Sequence, residues 1–513
     1  MKPNEIEMPK EKFNFAKMDG KLHDKELQTK PIGYFRDAFN RFKKNQASIV
    51  ATVIIILLLL FAIVGPIFSP YKVSYKNTYY HFTLPKNNLF FNTNFWDGCA
   101  QKDLNETSFL YYYSMGVETG HNAIKNQKYK MIQNKETGEL NIYRVRLDSY
   151  QSKGVVFMDL LPEEYQSIQQ YQNETGIQVI YPITNKKDRP EATQDTQDAN
   201  FWFKTKQIKG KTEIVLDKTG DYIPIYRNYS SGFDDYSSIR IEGETPLYDY
   251  AIKNQTGYQC RINYYEYYIY YHSYVIKDGI TSPQFLFGST SSGQDLFTCL
   301  SSGARFSFIL AIAIASVNLF VGAIYGAIEG YYGGKIDLAM ERLVDILGSI
   351  PFMVVITLLK YHMEGNNQVL ILFIAFFLTG WISMAGRTRM QFYRFKNQEY
   401  VLAARTLGAS DKRIMFKHIF PNSLGTLITS CVLVIPSVIF SETSLSYLGI
   451  INLNSGNRTS VGTLLANGQQ YLVTYPHLIL FPSIFISLLM LSFNLFGNGL
   501  RDAFNPSLRG TED

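Results

Sequence analysis

The stretch from Glu399 to Asn422, EYVLAARTLGASDKRIMFKHIFPN, is a polar, basic interruption between two long apolar runs. It reads as two short helices around a tight corner. Tyr400, Leu402, Ala403, Ala404 and Leu407 give the first helix an apolar, small-residue face at helical spacing. Gly408 supplies the backbone freedom that ends it, and Ser410 and Asp411 offer a capping hydroxyl and an acid at the start of the second. Pro421 is expected to stop that second helix. Small alanines permit close approach of a partner surface, while Arg405, Lys412, Arg413 and Lys417 keep the segment in water. On residue types alone, an ordinary cytoplasmic loop with two amphipathic turns explains the run equally well.

Working outward, the flanking apolar runs approach the roughly 20 residues needed to cross a hydrocarbon core. Spans are expected at about 47 to 68, 306 to 328, 343 to 359 with a kink at Pro351, 369 to 384, 424 to 447 around Pro436, and 477 to 495 around Pro482. Interruptions by proline are tolerated where the freed carbonyls face protein or a water-lined path. Gly322, Gly326 and Gly330, spaced by four, form a small-residue ridge on the second span that lets another helix approach closely. Glu329, Lys335, Asp337, Glu341, Arg342 and Asp345 then return the chain to cytoplasmic water or to the inner rim of the bundle.

Charge sets the orientation. Lysine and arginine crowd the N-terminal side of the first span, which leaves the N-terminus inside. Residues 387 to 417, expected inside, hold eight Lys or Arg, whereas 448 to 475, expected outside, hold only Arg458. Six spans with both termini cytoplasmic fit this bias. The overall charge of +6 on 513 residues is modest, and a mean hydropathy near zero averages very unlike parts.

The resulting division is a basic cytoplasmic tail over 1–46, a first transmembrane helix over 47–68, an extracellular insert over 69–300, a five-helix core over 301–500 containing the corner at 398–421, and a cytoplasmic tail over 501–513. In the first tail Ile32, Phe35, Phe39 and Phe42 recur at helical spacing with Arg36, Arg41, Lys43 and Lys44 on other faces, which suits a helix lying on an anionic leaflet. The insert carries no spanning run. KYKMIQ, NKETG and ELNIYRVRL read as a hairpin, TEIVLDKTGDYIPIY as another candidate, and CRINYYEYYIYYHSYVI as a long strand, so a β-rich or α+β domain is expected. Its tyrosines read as strand filler rather than as a binding surface. Cys99 and Cys260 lie in a compartment that permits a disulfide between them, provided their Cα atoms come within about 7 Å.

No GxxxxGK[ST], CxxC, HExxH or nucleophile elbow occurs, so no P-loop cradles nucleotide and no catalytic or metal-ligating constellation is expected. Cys299 and Cys431 read as small membrane hydrophobes, and the scattered histidines as exposed or packed side chains.

The alanine pair, Gly408 four residues after Ala404, and Pro421 thirteen after Gly408 resemble the EAA loop of ABC importer permeases. The AARTLGAS core and the KHIFPN ending are most similar to the C-type permease of the oligopeptide/dipeptide branch. Three positions depart from the pattern: its glutamate is Leu402 here, its isoleucine His418 and its leucine Phe420. Before the second span, Gly288, Gly293 and Asp295 match the family's approach segment, with Gln294 in place of its arginine. The resemblance covers about 32 to 68 and 284 to 510. It implies an all-α, six-helix type I permease bundle with a large insert between helices 1 and 2.

The resemblance further implies a homologous second permease, two ATPase subunits that bind ATP and magnesium, an external binding protein and a peptide substrate. No cofactor is held by this chain, and no nucleic acid is involved. The coupling residues it implies are Glu399, Ala403, Ala404, Gly408, Ser410, Asp411 and Pro421. Nickel, a dipeptide or another small solute is the alternative cargo. A membrane-anchored receptor or adhesion protein would explain the insert but leave five spans and the corner without purpose.

Overall fold

The computed structural model describes residues 34–90, 95–134, 138–181, 250–363, 367–453 and 458–504, with short stretches between 201 and 238. The tail before residue 34, Ile32 included, and residues 505–513 lie outside the described residues.

The chain enters through α1 (Tyr34–Lys44), which buries Ala38 and Phe42 against Phe496, Leu500 and Phe504, with Phe35 edge-on to Phe504 but half exposed and Phe39 exposed. Asn45 then caps α2 (Gln46–Phe68) by accepting from the Ser48 amide at 3.2 Å. This 23-residue helix is apolar on nearly every side, with only a narrow stripe through Ala51, Ile55, Leu58 and Ala62 buried. The rest suits hydrocarbon.

The segment that follows is an α+β unit. β1 (Cys99–Asn105), α3 (Glu106–Thr119), β2 (Ile124–Asn134) and β3 (Gly138–Asp148) form a three-stranded antiparallel sheet in the order β1–β3–β2 with one helix. The β2–β3 pair is the hairpin expected from KYKMIQ and ELNIYRVRL. β4 (Val155–Leu160), α4 (Pro162–Thr175) and β5 (Ile180–Tyr181) lead to four short strands, β6 (Phe201–Phe203), β7 (Thr205–Ile208), β8 (Lys211–Ile214) and β9 (Pro224–Tyr226). Among the described residues the two ends of TEIVLDKTGDYIPIY pair elsewhere and not with each other: β8 with β7 and β9 with β6. β10 (Ser237–Ser238), β11 (Tyr250–Lys253) and β12 (Tyr258–Asn263) complete a second sheet, in which β12 lies between β11 and β4 and also pairs β5.

Only the start of CRINYYEYYIYYHSYVI is strand. Asn263 caps a new helix, α5 (Tyr264–Tyr270), by accepting from the Tyr265 amide, and a π-turn follows through Ile276. The aromatic run suggested a strand, but its side chains pack at helical spacing: Tyr264 and Tyr268 face Tyr71, Tyr80, Tyr150 and Phe285, while Tyr267, Tyr270 and Tyr274 face α4 and β12. These tyrosines are core. Most of their hydroxyls reach partners, as buried phenols favour: Tyr264 donates to Asn77 at 2.8 Å, Tyr268 to Tyr71 at 2.9 Å, and Tyr150 to the Leu84 carbonyl at 2.9 Å, while the Tyr80 hydroxyl is buried with no partner among the described residues.

Cys99 and Cys260 do not pair. Both thiols are free, since Cys99 begins β1 of the first sheet and Cys260 is buried in β12 of the second.

The insert returns to the bundle through a buried cap. Asp295 accepts from the amide and hydroxyl of Thr298 at the start of α6 (Leu296–Tyr332), and Ser69, just past α2, bonds the same hydroxyl at 2.5 Å. Gln294 donates to the Val73 carbonyl at 2.5 Å, a neutral tie where the family resemblance implied an arginine. Phe82 stacks on Tyr475 with centroids 4.5 Å apart, closing the seam between insert and bundle.

The core continues with α7 (Gly334–Gly348), α8 (Phe352–His362), α9 (Gln368–Phe395), α10 (Glu399–Thr406), α11 (Asp411–Arg413), α12 (Phe420–Tyr447), α13 (Val461–Gln469) and α14 (His477–Phe504). Among the described residues five helices are long and apolar enough to span, while α7 and α8 meet at 71° and count as a sixth only if that bent pair crosses as one. Pro351 sits at this break, with non-helical backbone just ahead of α8. α6 lies centrally, packed on α2, α9 and α12. A Cβ on Gly322 would come 2.7 Å from the Trp381 carbonyl, and one on Gly330 2.7 Å from that of Arg389, so this ridge is what seats α9 on α6.

Candidate functional site

The corner between α9 and α12 is built from two opposed faces. Val401, Ile414, Met415 and Ile419 are buried in one cluster with Ala327 and Tyr331 of α6 and Phe392 of α9. Tyr400, Leu402, Ala403 and Leu407 point the other way, and Leu407 is 88% exposed. A soluble loop gains nothing from an apolar face held in water. The face is available to a partner.

Gly408 makes the corner. Its φ of +80° is the left-handed conformation that side-chain-bearing residues disfavour. In that geometry its amide bonds the Arg405 carbonyl at 3.0 Å and the Ala409 amide bonds Ala404 at 3.1 Å, ending α10 with its carbonyls satisfied. Nothing lies within 4 Å of where a Cβ would sit, so the requirement is conformational rather than one of space.

Ser410 occupies the N-cap of α11 with extended backbone, but its hydroxyl makes no capping bond. Asp411 instead accepts a 2.6 Å hydrogen bond from the Tyr331 hydroxyl, and the Arg405 guanidinium lies 5.9 Å from the same ring. The corner is thereby tied to the end of α6. Glu399 is exposed at the start of α10. Partial burial pushes the Tyr400 phenol up, and its oxygen accepts from Asn422 at 3.3 Å.

Pro421 does not stop a helix. From Asp411 the chain runs helically to Tyr447, with a π-turn at Ile414–Ile419 and Pro421 in the first turn of α12. A proline inside an α-helix lacks a donor and crowds the carbonyl four residues back; the wider π-turn just before it relieves both demands. The corner is therefore continuous with a spanning helix, which no residue count predicted.

A second set of contacts locks α6 and α7 to α9 beside the corner. Arg389 binds Asp337 through Nε at 2.6 Å and a second nitrogen at 3.0 Å, and lies 3.3 Å from Glu341 and 3.5 Å from the buried Glu329. Tyr393 donates to Asp337 at 2.5 Å, and Lys396 donates to the Gly330 carbonyl at 3.0 Å. Sequence reading grouped the acids as a rim. It missed Arg389, the cation that organises them, and Tyr331 and Val401, because each meets its partner only through the fold.

Among the described residues no group of His, Cys, Asp or Glu is arranged to hold a metal. The corner presents one face buried in the bundle and one exposed apolar face.

Comparison with known proteins agrees with this geometry. The profile of the family described as the inner membrane component of binding-protein-dependent transport systems matches residues 318–510, and that of the N-terminal transmembrane domain of oligopeptide transport permease C matches 33–86. The oligopeptide transport system permease protein C of Bacillus subtilis is 41% identical over 44% of this chain and 72% of its own length. The dipeptide permease protein C of the same organism is 37% identical over 44% and 69%. The oligopeptide permease protein C of Escherichia coli is 39% identical over 44% and 72%. An inward-facing methionine ABC transporter chain superposes with a TM-score of 0.33 at 15% identity, over 40% of this chain and 96% of its own, a likeness too slight to build on. The profiles bracket most of the insert: residues 87–317 lie in neither. With its corner, its glycine-seated helix pair and these matches at both ends, the chain belongs to the permease family of binding-protein-dependent ABC importers, in the oligopeptide/dipeptide branch.

Proposed function

We propose that this chain is one of two permease subunits of an ATP-driven oligopeptide importer. It forms half of the translocation path and pairs with a homologous permease, two ATPase subunits and an external binding protein. Both termini lie in the cytoplasm of a plasma-membrane protein, and α7 with α8 serves as the sixth span. ATP and magnesium act on the partner ATPases. The insert stands outside the membrane and docks the binding protein over the entrance.

The observation that carries this reading is the exposed Leu402–Ala403–Leu407 face of a corner whose opposite side is buried in the bundle. In operation, ATPase closure displaces that face. Because Val401, Ile414 and Ile419 are packed and Asp411 is bonded to Tyr331, the displacement passes to α6, α9 and α12 together. Packed helices switch between discrete arrangements rather than deform, so a small movement at the corner exchanges outward for inward access.

The test is reconstitution of the chain with its candidate permease, ATPases and binding protein in proteoliposomes. ATP-dependent uptake of a labelled oligopeptide is expected. An assembled, ATP-hydrolysing complex that takes up nickel or another small solute and no peptide would overturn the cargo assignment. Failure to assemble with any ATPase would overturn the transport reading.

A further inference from the structure

At the end of the bundle nearest the corner, α9, α12 and α14 diverge around a cavity of about 430 Å³, within the size range of small-ligand sites. Its charge is of one sign. Arg387 and Arg394 come from the last turns of α9, two turns apart on one face with Gln391 between them, and Arg501 comes from the last turn of α14. Among the described residues no aspartate or glutamate lines the space, and none of the three arginines has a carboxylate within 4 Å. Arg389, which shares their helix, is engaged elsewhere by Asp337 and Glu341.

The floor is α12. Thr429 and Ser430 donate their hydroxyls to the carbonyls of Gly425 and Thr426 at 2.8 and 2.9 Å, so neither offers a donor to a ligand there. The charged recognition comes from the guanidinium groups, which stay charged at all physiological pH and fork onto anionic oxygens, with the Gln391 amide and the Thr426 hydroxyl as further polar lining. Beside them Leu433 and Phe504 provide apolar wall. A ligand matching both features is an anionic head joined to an apolar body. Arg387 and Arg394 lie in the last turns of α9, Arg394 five residues before the corner helix begins, and Arg501 in the last turn of α14, which is headgroup depth.

We propose that this cavity binds the phosphodiester headgroup of an anionic inner-leaflet lipid. The bound phosphate bridges α9, which leads directly into the corner, to α14, and it relieves the repulsion of three cations around one space. The assignment of the inner leaflet rests on the orientation proposed above.

The experiment uses the complete importer in nanodiscs of phosphatidylcholine with or without phosphatidylglycerol. The two leaflets are then alike, so the result does not depend on the orientation or on the cargo. Lipid retained through detergent extraction is counted by mass spectrometry. Removing charge with Arg387→Gln and Arg501→Gln together should lower phosphatidylglycerol retention, by roughly fivefold per arginine, while Arg342→Gln, at the exposed pair with Asp345, should leave it unchanged. Should the double variant fail to assemble, Arg394→Gln alone carries the test, with Arg394→Lys restoring part of the retention. Unchanged retention in the variants that assemble overturns the proposal. In a second arm, inorganic phosphate is added to phosphatidylcholine discs. Phosphatidylglycerol should raise the melting temperature of the wild type and not of the double variant, and phosphate alone should do neither. Equal stabilisation by free phosphate overturns the lipid as the source. Weakened peptide affinity with unaltered lipid retention overturns it in favour of a solute carboxylate.

Discussion

Gly408 is the residue on which the geometry of the corner turns. A side chain at φ of +80° costs about 1–2 kcal/mol, with more for a β-branched one, and the open space around it means that relief comes only by re-forming the turn. Gly408→Val is therefore expected to leave the bundle folded but lower the peptide transported per ATP hydrolysed, whereas Gly408→Asn, which tolerates this conformation, should stay close to wild type. Wild-type coupling in the valine variant would contradict the corner. At Cys99, burial and then the nearby Asp148 and Asp97 push the thiol up to about 12. The reactive thiolate is the deprotonated form, so raising pH toward 12 should keep accelerating alkylation of Cys99, where an ordinary thiol levels off above about 8.5. A plateau near 8.5, measured in a variant lacking the other cysteines, would contradict this environment.

Elements show what was readable and what was not. The spans announced themselves because hydrocarbon imposes a single rule along the whole stretch, and α2, α6, α9, α12 and α14 all appear where apolar runs lie. The glycine ridge was equally legible, since spacing by four has one use in lipid. Extending this, Gly326→Leu should force α6 and α9 apart at the Ala385 carbonyl and abolish a monodisperse peak in size-exclusion chromatography, while Gly386→Ala, which meets nothing within 4 Å, should not. A well-behaved Gly326→Leu protein would contradict the close approach. The tyrosine run misled because aromatics suit both strand and helix, and only Asn263 at the cap and the partners across the fold decide between them. Pro421 misled because the π-turn that accommodates it leaves no signature in composition. Glu442 was passed over as one polar residue in an apolar helix, yet it is buried and accepts from Ser307 at 3.1 Å and Ser446 at 3.2 Å, joining α12 to α6.

On the scale of the whole molecule, a permease bundle carries an α+β unit seated on it through Asp295, Gln294 and the Phe82–Tyr475 stack. The seat residues Phe82, Gln294 and Asp295 lie outside the strands of the insert, which run from Cys99 to Asn263, although Tyr150 within that stretch packs against Tyr71, Tyr80 and Phe285. Replacing residues 99–263 with a short linker, while keeping the seat and the bundle, should preserve assembly with the ATPases and weaken capture of the binding protein in a pull-down. Undiminished capture would remove the docking role. The central claim is that the exposed face of the corner meets an ATPase and moves with its nucleotide cycle. The most direct measurement places a cysteine at Ala403 in a chain freed of its own cysteines, with co-expressed ATPases carrying single cysteines along their candidate grooves. A disulfide cross-link whose yield changes between nucleotide-free and ATP-trapped membranes is the predicted result. No cross-link at Ala403, Ala404 or Leu407, in a protein verified to be inserted and assembled, would contradict the account.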